Sequence, residues 1–269
     1  MDYIQQAIEK ARDERQGNIG QKAESSGQKR SEVGEQSGQG GVPETINYTT
    51  TRKETVSRKV LKANRIVAGF ESDPTTDAYR QLRTQTLQKL RANGWKTLGI
   101  TSPGENAGKT VTALNLAISL SKEVNQTVLL VDMDLRSPGI MDALGLSTEY
   151  GIVDHLNDDI SISDIMVTPG FERLVILPSK QDDRYSSELL SAPKMKTLLN
   201  DLTSRYDSRL IIFDMPSLLV NDDALVFTPF VDAMLLVVED GASSEHDIHR
   251  SMELLDGTEL LGTVLNKMQ

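Results

Sequence analysis

The chain has 269 residues, 38% of them hydrophobic and 25% charged, with a formal net charge of −10 and no cysteine. That is enough for one large domain or two small ones, while the acidic balance speaks against general nucleic-acid binding and against a polybasic membrane anchor. Without cysteine there is no disulfide or thiol chemistry. No apolar run reaches the ~20 residues that span a bilayer, and residues 1–15 are too polar for a signal peptide, so the expected location is the cytoplasm.

Residues 1–15 place Ile4, Ala7, Ile8 and Ala11 on one stripe, the mark of a short amphipathic helix. Such a helix is marginal on its own. It is either a frayed terminus or a peptide that docks on a partner protein, its mixed charge disfavouring membrane insertion. From residue 16 the chain is Gly, Ser, Gln and charge, too polar to offset ordering entropy, and a flexible linker is expected over 16–70. Its last part, 46–70, carries scattered apolar groups such as Val56, Leu61, Ile66 and Val67, suited to lying across a domain surface.

Regular patterning begins at about residue 71. Asp73–Gly94 reads as a helix with Tyr79, Leu82, Leu87 and Leu90 as its stripe, Thr75 or Thr76 as cap and Gly94 as stop. Short apolar runs then alternate with helical stretches, at 96–101, 127–132, 173–178, 209–214, 232–239 and 260–266. Continuous apolar strands separated by helices predict an α/β fold, a mostly parallel sheet covered by helices on both faces, as one domain over 71–269.

Three motifs fall at strand ends, where ligands of open α/β sheets bind. The first runs from Ser102 to Thr110, ending Gly108-Lys109-Thr110 before a helical stretch. Backbone N–H groups and the positive end of the helix suit a polyphosphate there, with Lys109 on its outer phosphates and the Thr110 hydroxyl on Mg²⁺. The glycine that a G-x-x-x-x-G-K-S/T loop wants at 103 is Pro103. The second motif ends a strand with Asp132 and Asp134 and continues to Arg136. Alternation points both carboxylates one way, and such a pair needs a cation or donors beside it. The third is a hydrophobic strand closing on Asp214, the pattern of a carboxylate that holds Mg²⁺ or its water shell.

In this order and combination the motifs resemble the bacterial tyrosine kinases of polysaccharide export and synthesis, part of the deviant P-loop ATPase group. The family's D-x-D-x-R is matched in full by Asp132-Met133-Asp134-Leu135-Arg136. Partition ATPases of the wider group carry a signature lysine where this chain has Gly104, which favours the kinase branch. The stretches 186–199 and 221–244 and the strand Gly262-Thr263-Val264-Leu265-Asn266 also resemble the family, so that the likeness covers about 75–269.

What the resemblance implies is a P-loop NTPase of the deviant Walker A type that takes ATP and Mg²⁺. Its ATP-binding stretch would be Gly104, Glu105, Asn106, Ala107, Gly108, Lys109, Thr110 and Val111, with Asn266 as a contact to adenine. Lys109, Asp132 and Asp134 would be catalytic, one of the two aspartates taking the proton of a tyrosine hydroxyl, and Thr110, Asp132 and Asp214 would serve the metal. Asp77, Arg80 and Arg83 stand where the family's E-x-x-R-x-x-R helix builds ring oligomers, with aspartate in place of glutamate. An ordinary i,i+3 surface pair explains the same spacing. The implied partners are a homo-oligomer and the cytoplasmic part of a membrane chain-length regulator, or polysaccharide co-polymerase, which would recruit the chain to the inner face of the membrane; nucleic acid is not among them.

Three departures define a rival, one being Asn106-Ala107-Gly108-Lys109 where the family has G-E-G-K or G-A-G-K. Family kinases often end in a tyrosine cluster, whereas this chain stops at Gln269 and its last tyrosine is Tyr206, so phosphorylation of a C-terminal tail between subunits is not expected. The family's Asp-x-Pro-Pro is here Asp214-Met215-Pro216-Ser217. The alternative to a kinase is therefore an ATP-gated oligomerising module of an exopolysaccharide machine.

Overall fold

In the computed structural model, residues 51–71, 73–181, 186–204 and 208–268 are described. Among the described residues eight strands form one sheet: β1 (Arg52–Lys53), β2 (Thr97–Thr101), β3 (Thr127–Asp132), β4 (Val167–Thr168), β5 (Leu174–Leu177), β6 (Arg209–Asp214), β7 (Ala233–Glu239) and β8 (Leu260–Asn266). Their order is β1-β4-β5-β3-β6-β2-β7-β8, and every neighbouring pair is parallel except β4 with β5. The six strands expected from the sequence are β2, β3, β5, β6, β7 and β8, with ends that differ by at most one residue. The other two, β1 and β4, have two residues each and are too short to leave a pattern in the sequence.

Parallel neighbours need crossover connections, and the crossovers cover the sheet. Val128 and Leu130 of β3 pack on one face with Leu114, Ala117 and Ile118 of the helix Lys109–Ser121. Leu129 and Val131 pack on the other face with Met195, Leu198 and Leu202 of the helix Pro193–Ser204. The period-2 alternation of a strand thus feeds two cores, which is why these strands read as unbroken apolar runs. Among the described residues no helix is long and apolar enough to cross a membrane.

The linker expected over 16–70 does not extend to residue 70. From 51 onward the chain packs on the domain: Leu61, Ile66 and Ala68 are buried, and Arg58–Ala63 is a helix. The cause is a polar side chain. Asn115, inside the helix Lys109–Ser121, accepts from Val67 N at 2.7 Å and Ala68 N at 2.9 Å and donates to Arg65 O at 3.0 Å. The helix expected at 1–15, and the linker as far as 50, lie outside the described residues.

The helix Thr75–Asn93 ends at Gly94, whose φ of 69° is the left-handed conformation that favours glycine. Its start differs from expectation. Asp73 Oδ1 accepts from Thr75 N at 2.9 Å, while the Thr76 hydroxyl donates backward to Val67 O at 3.0 Å and Phe70 O at 2.7 Å. Thr76 therefore fastens the incoming segment instead of capping the helix.

Candidate nucleotide site

β2 ends at Thr101 and the helix begins at Lys109, leaving a loop of residues 102–108 at the carboxyl end of a central strand. Positive φ at Asn106 (63°) and Gly108 (94°) curls the loop. The Ser102 hydroxyl donates to Gly104 O at 2.7 Å. Leu218 N and Leu219 N donate to Ser102 O at 2.9 Å and Pro103 O at 3.1 Å, so the stretch after β6 backs the loop. Pro103 fits because this position contributes a carbonyl to that contact, and a proline lacks only the donor.

Four charges converge below the loop. Lys109 Nζ lies 2.9 Å from Asp134 Oδ2. Asp132 ends β3 with its side chain closed in by backbone: Oδ2 accepts from Gly139 N and Ile140 N, both at 3.0 Å, and Oδ1 from Asp134 N at 3.3 Å. Asp134 Oδ1 in turn accepts from Ser137 N at 3.0 Å, so residues 132–140 fold around their own carboxylates. Asp214 ends β6 beside Asp132, fully buried, and neither of its oxygens makes a hydrogen bond of standard geometry.

Burial and the neighbouring Asp214 push the Asp132 carboxyl well above the usual carboxylate range, against the donated Ile140 N–H. Burial likewise pushes Asp214 up to about 6, although the Lys109 charge and the Thr110 hydroxyl beside it pull downward. For Lys109 burial works downward, but Asp214, Asp134 and Asp132 outweigh it and raise its pKa, so the ammonium stays charged. The site is thus a lysine with three buried carboxylates around it, short of positive charge.

That deficit is the fit test for Mg²⁺. Among the described residues no three His, Cys, Asp or Glu side chains form a metal cage. Mg²⁺, however, keeps most of its waters and takes one or two protein oxygens plus phosphate. Asp214, with two unfilled buried oxygens, and the nearby Thr110 hydroxyl fit such a role. Asp132 has both oxygens engaged by backbone N–H groups.

The cleft beside Lys109 is lined by Glu105, Asn106, Asp134, Arg136, Ser137 and Ser217, among others. Arg136 is held there by Asp223, Nε to Oδ2 at 2.7 Å and Nη2 to Oδ1 at 3.3 Å. Ser187 also donates to Asp223. Asp223 lies in the stretch 221–244, and nothing in the sequence marks it as Arg136's partner across 87 residues.

Of the residues expected in the site, Lys109, Thr110, Asp132, Asp134 and Asp214 come together, and Asn266 reaches the loop by donating to Ala107 O at 2.9 Å. The Val111 side chain packs against the core. Asp77 and Arg80 form an exposed pair at 2.7 Å on their own helix, and Arg83 Nε pairs with Glu123 at 3.2 Å.

A strand–loop–helix phosphate loop inside a mostly parallel sheet, with β6 and then β3 on one side of it closing on Asp214 and Asp132, defines a P-loop NTPase fold. The chain belongs to the AAA domain family, which it matches over residues 101–252. It is 29% identical over 217 residues to the tyrosine-protein kinase YwqD of Bacillus subtilis (strain 168), covering 80% of this chain and 90% of that protein. It is 27% identical to the succinoglycan biosynthesis transport protein ExoP of Rhizobium meliloti (strain 1021), over 77% of this chain but 26% of ExoP. Among solved structures, the kinase domain of the Escherichia coli tyrosine kinase ETK superposes with a TM-score of 0.69 at 25% identity, covering 81% of this chain and 91% of that domain.

Proposed function

We propose that this chain is an ATP-dependent tyrosine-protein kinase of exopolysaccharide biosynthesis and export. The observation that carries the reading is the Lys109–Asp134 pair at 2.9 Å at the mouth of a P-loop, with the unfilled Asp214 carboxylate behind it. The likeness to YwqD and to the ETK kinase domain supports phosphotransfer to tyrosine, and the likeness to ExoP supports the polysaccharide setting.

The loop N–H groups and the helix N-terminus hold the polyphosphate, and Lys109 leaves Asp134 for the outer phosphates as ATP enters. Thr110 and Asp214 hold Mg²⁺, which when bound offsets the charge of the phosphates. Asp134 is better placed than Asp132 to act as base, because it faces the cleft while Asp132 is filled by backbone donors. The phenol proton passes to the Asp134 carboxylate, the phenol oxygen bonds to the γ-phosphorus, and the bond to the bridging oxygen breaks to release ADP. Most of the rate enhancement comes from positioning and charge stabilisation.

The chain acts on the cytoplasmic side, as a homo-oligomer whose contacts include Asp77, Arg80 and Arg83, on the cytoplasmic part of a membrane co-polymerase. The test is incubation with Mg-ATP, with and without such a fragment, followed by mass spectrometry for phosphotyrosine. Phosphate on tyrosine supports the kinase. ADP released without it overturns the kinase in favour of a nucleotide-gated interaction module.

A further inference from the structure

The side chain of Asn266 meets the phosphate loop itself. Its Nδ2 donates to the Ala107 carbonyl at 2.9 Å, across 159 residues of sequence. It also fills the space that Gly108 leaves by having no side chain: a Cβ on Gly108 would stand 2.1 Å from Asn266 Nδ2. Gly108 is thus required twice, once for its φ of 94° and once to admit this amide.

Asn266 is itself well anchored. It closes β8 in register with Glu239 of β7, and its own carbonyl accepts from Asp240 N at 2.9 Å. The next residue, Lys267, turns with φ 59° and pairs with Glu239 at 3.0 Å. A rigid sheet edge therefore presents one donor to one carbonyl of the loop.

The carbonyl of Ala107 and the N–H of Gly108 belong to the same trans peptide unit and point in opposite directions. Holding that carbonyl against Asn266 fixes the Gly108 N–H away from Asn266, as a donor for an anion on the far side of the loop. We infer that Asn266 is a positioning residue for the phosphate loop, acting through Ala107 and Gly108 and independently of the nucleotide base. This rests on the loop being a polyphosphate site, and it departs from the adenine contact that the family resemblance implied for Asn266.

Two measurements on the full chain test it. In the nucleotide-free protein, amides of residues 105–110 should exchange with solvent about tenfold faster in Asn266→Ala than in wild type, since one hydrogen bond is lost. Mg-ATP, Mg-GTP and inorganic tripolyphosphate should all bind more weakly by one common factor, about three- to tenfold. Asn266→Asp keeps the shape but sets a carboxylate against the Ala107 carbonyl, and should match the alanine variant. Unchanged loop exchange in either variant overturns the inference, as does a loss of affinity confined to ATP. If wild type binds none of the three ligands, the polyphosphate reading fails, and the exchange experiment by itself decides whether Asn266 braces the loop.

Discussion

Asp132 and Asp214 stand side by side in register on the parallel strands β3 and β6, both buried, one with its carboxylate filled by backbone N–H groups and the other with none. Like charges in such a place repel, and burial penalises both. The contrast in their hydrogen bonding sets them apart: Asp132 organises the turn after β3, and on the proposed function Asp214 is the one left to meet a cation.

Asp214 predicts a pH dependence. An unfolded aspartate releases its proton near pH ~3.9, whereas burial raises Asp214 to about 6 in the fold. The folded state binds the proton more tightly, so this group's contribution to stability is present at low pH and is lost as pH rises through about 6. In nucleotide-free protein with chelator, Asp214→Asn should raise stability by about 1–3 kcal/mol at pH 8 and by much less at pH 4.5. Equal effects at the two pH values in denaturant titrations would contradict the assignment.

Lys109→Met should reduce ATP turnover by a factor of about 100 or more, because phosphoryl transfer depends on that charge. Asp134→Asn should lower tyrosine phosphorylation more than it lowers ATP binding. Initial rates and equilibrium binding measured side by side are the check, and unchanged turnover in Lys109→Met would sink the site.

Asn115 joins the segment 65–68 to the phosphate-loop helix through buried hydrogen bonds. Asn115→Ala leaves the Val67 and Ala68 N–H groups without their acceptor and should destabilise the domain by about 3 kcal/mol or more. Urea unfolding gives the magnitude. Amide exchange should accelerate first at residues 65–68.

The Asp77–Arg80 pair is exposed, and Asp77→Ala should change the stability of the monomer by no more than about 0.5 kcal/mol. Sedimentation of the variant with Mg-ATP is then a clean reporter. A shift to smaller species assigns this helix to subunit contacts, and an unchanged distribution leaves it an ordinary surface pair.

Six of the eight described strands and the strand–loop–helix run through Gly108-Lys109-Thr110 are legible in the sequence, because they are local: a buried parallel strand is continuously apolar, and a loop opening a helix is a short contiguous pattern. Even the misfit at Pro103 was visible there, and the structure resolved it through Leu219. What the tertiary structure alone decided is which partner each polar group found. Asn115 drew residues 65–68 out of an expected linker, Asp223 took Arg136, backbone N–H groups filled Asp132, and Asn266 took the carbonyl of Ala107. These contacts join residues 47 to 159 positions apart, except the turn around Asp132. A single polar side chain has no periodicity to betray its partner. Its choice is set by which donor or acceptor the assembled sheet leaves within hydrogen-bond reach, and that is known only once the sheet has formed.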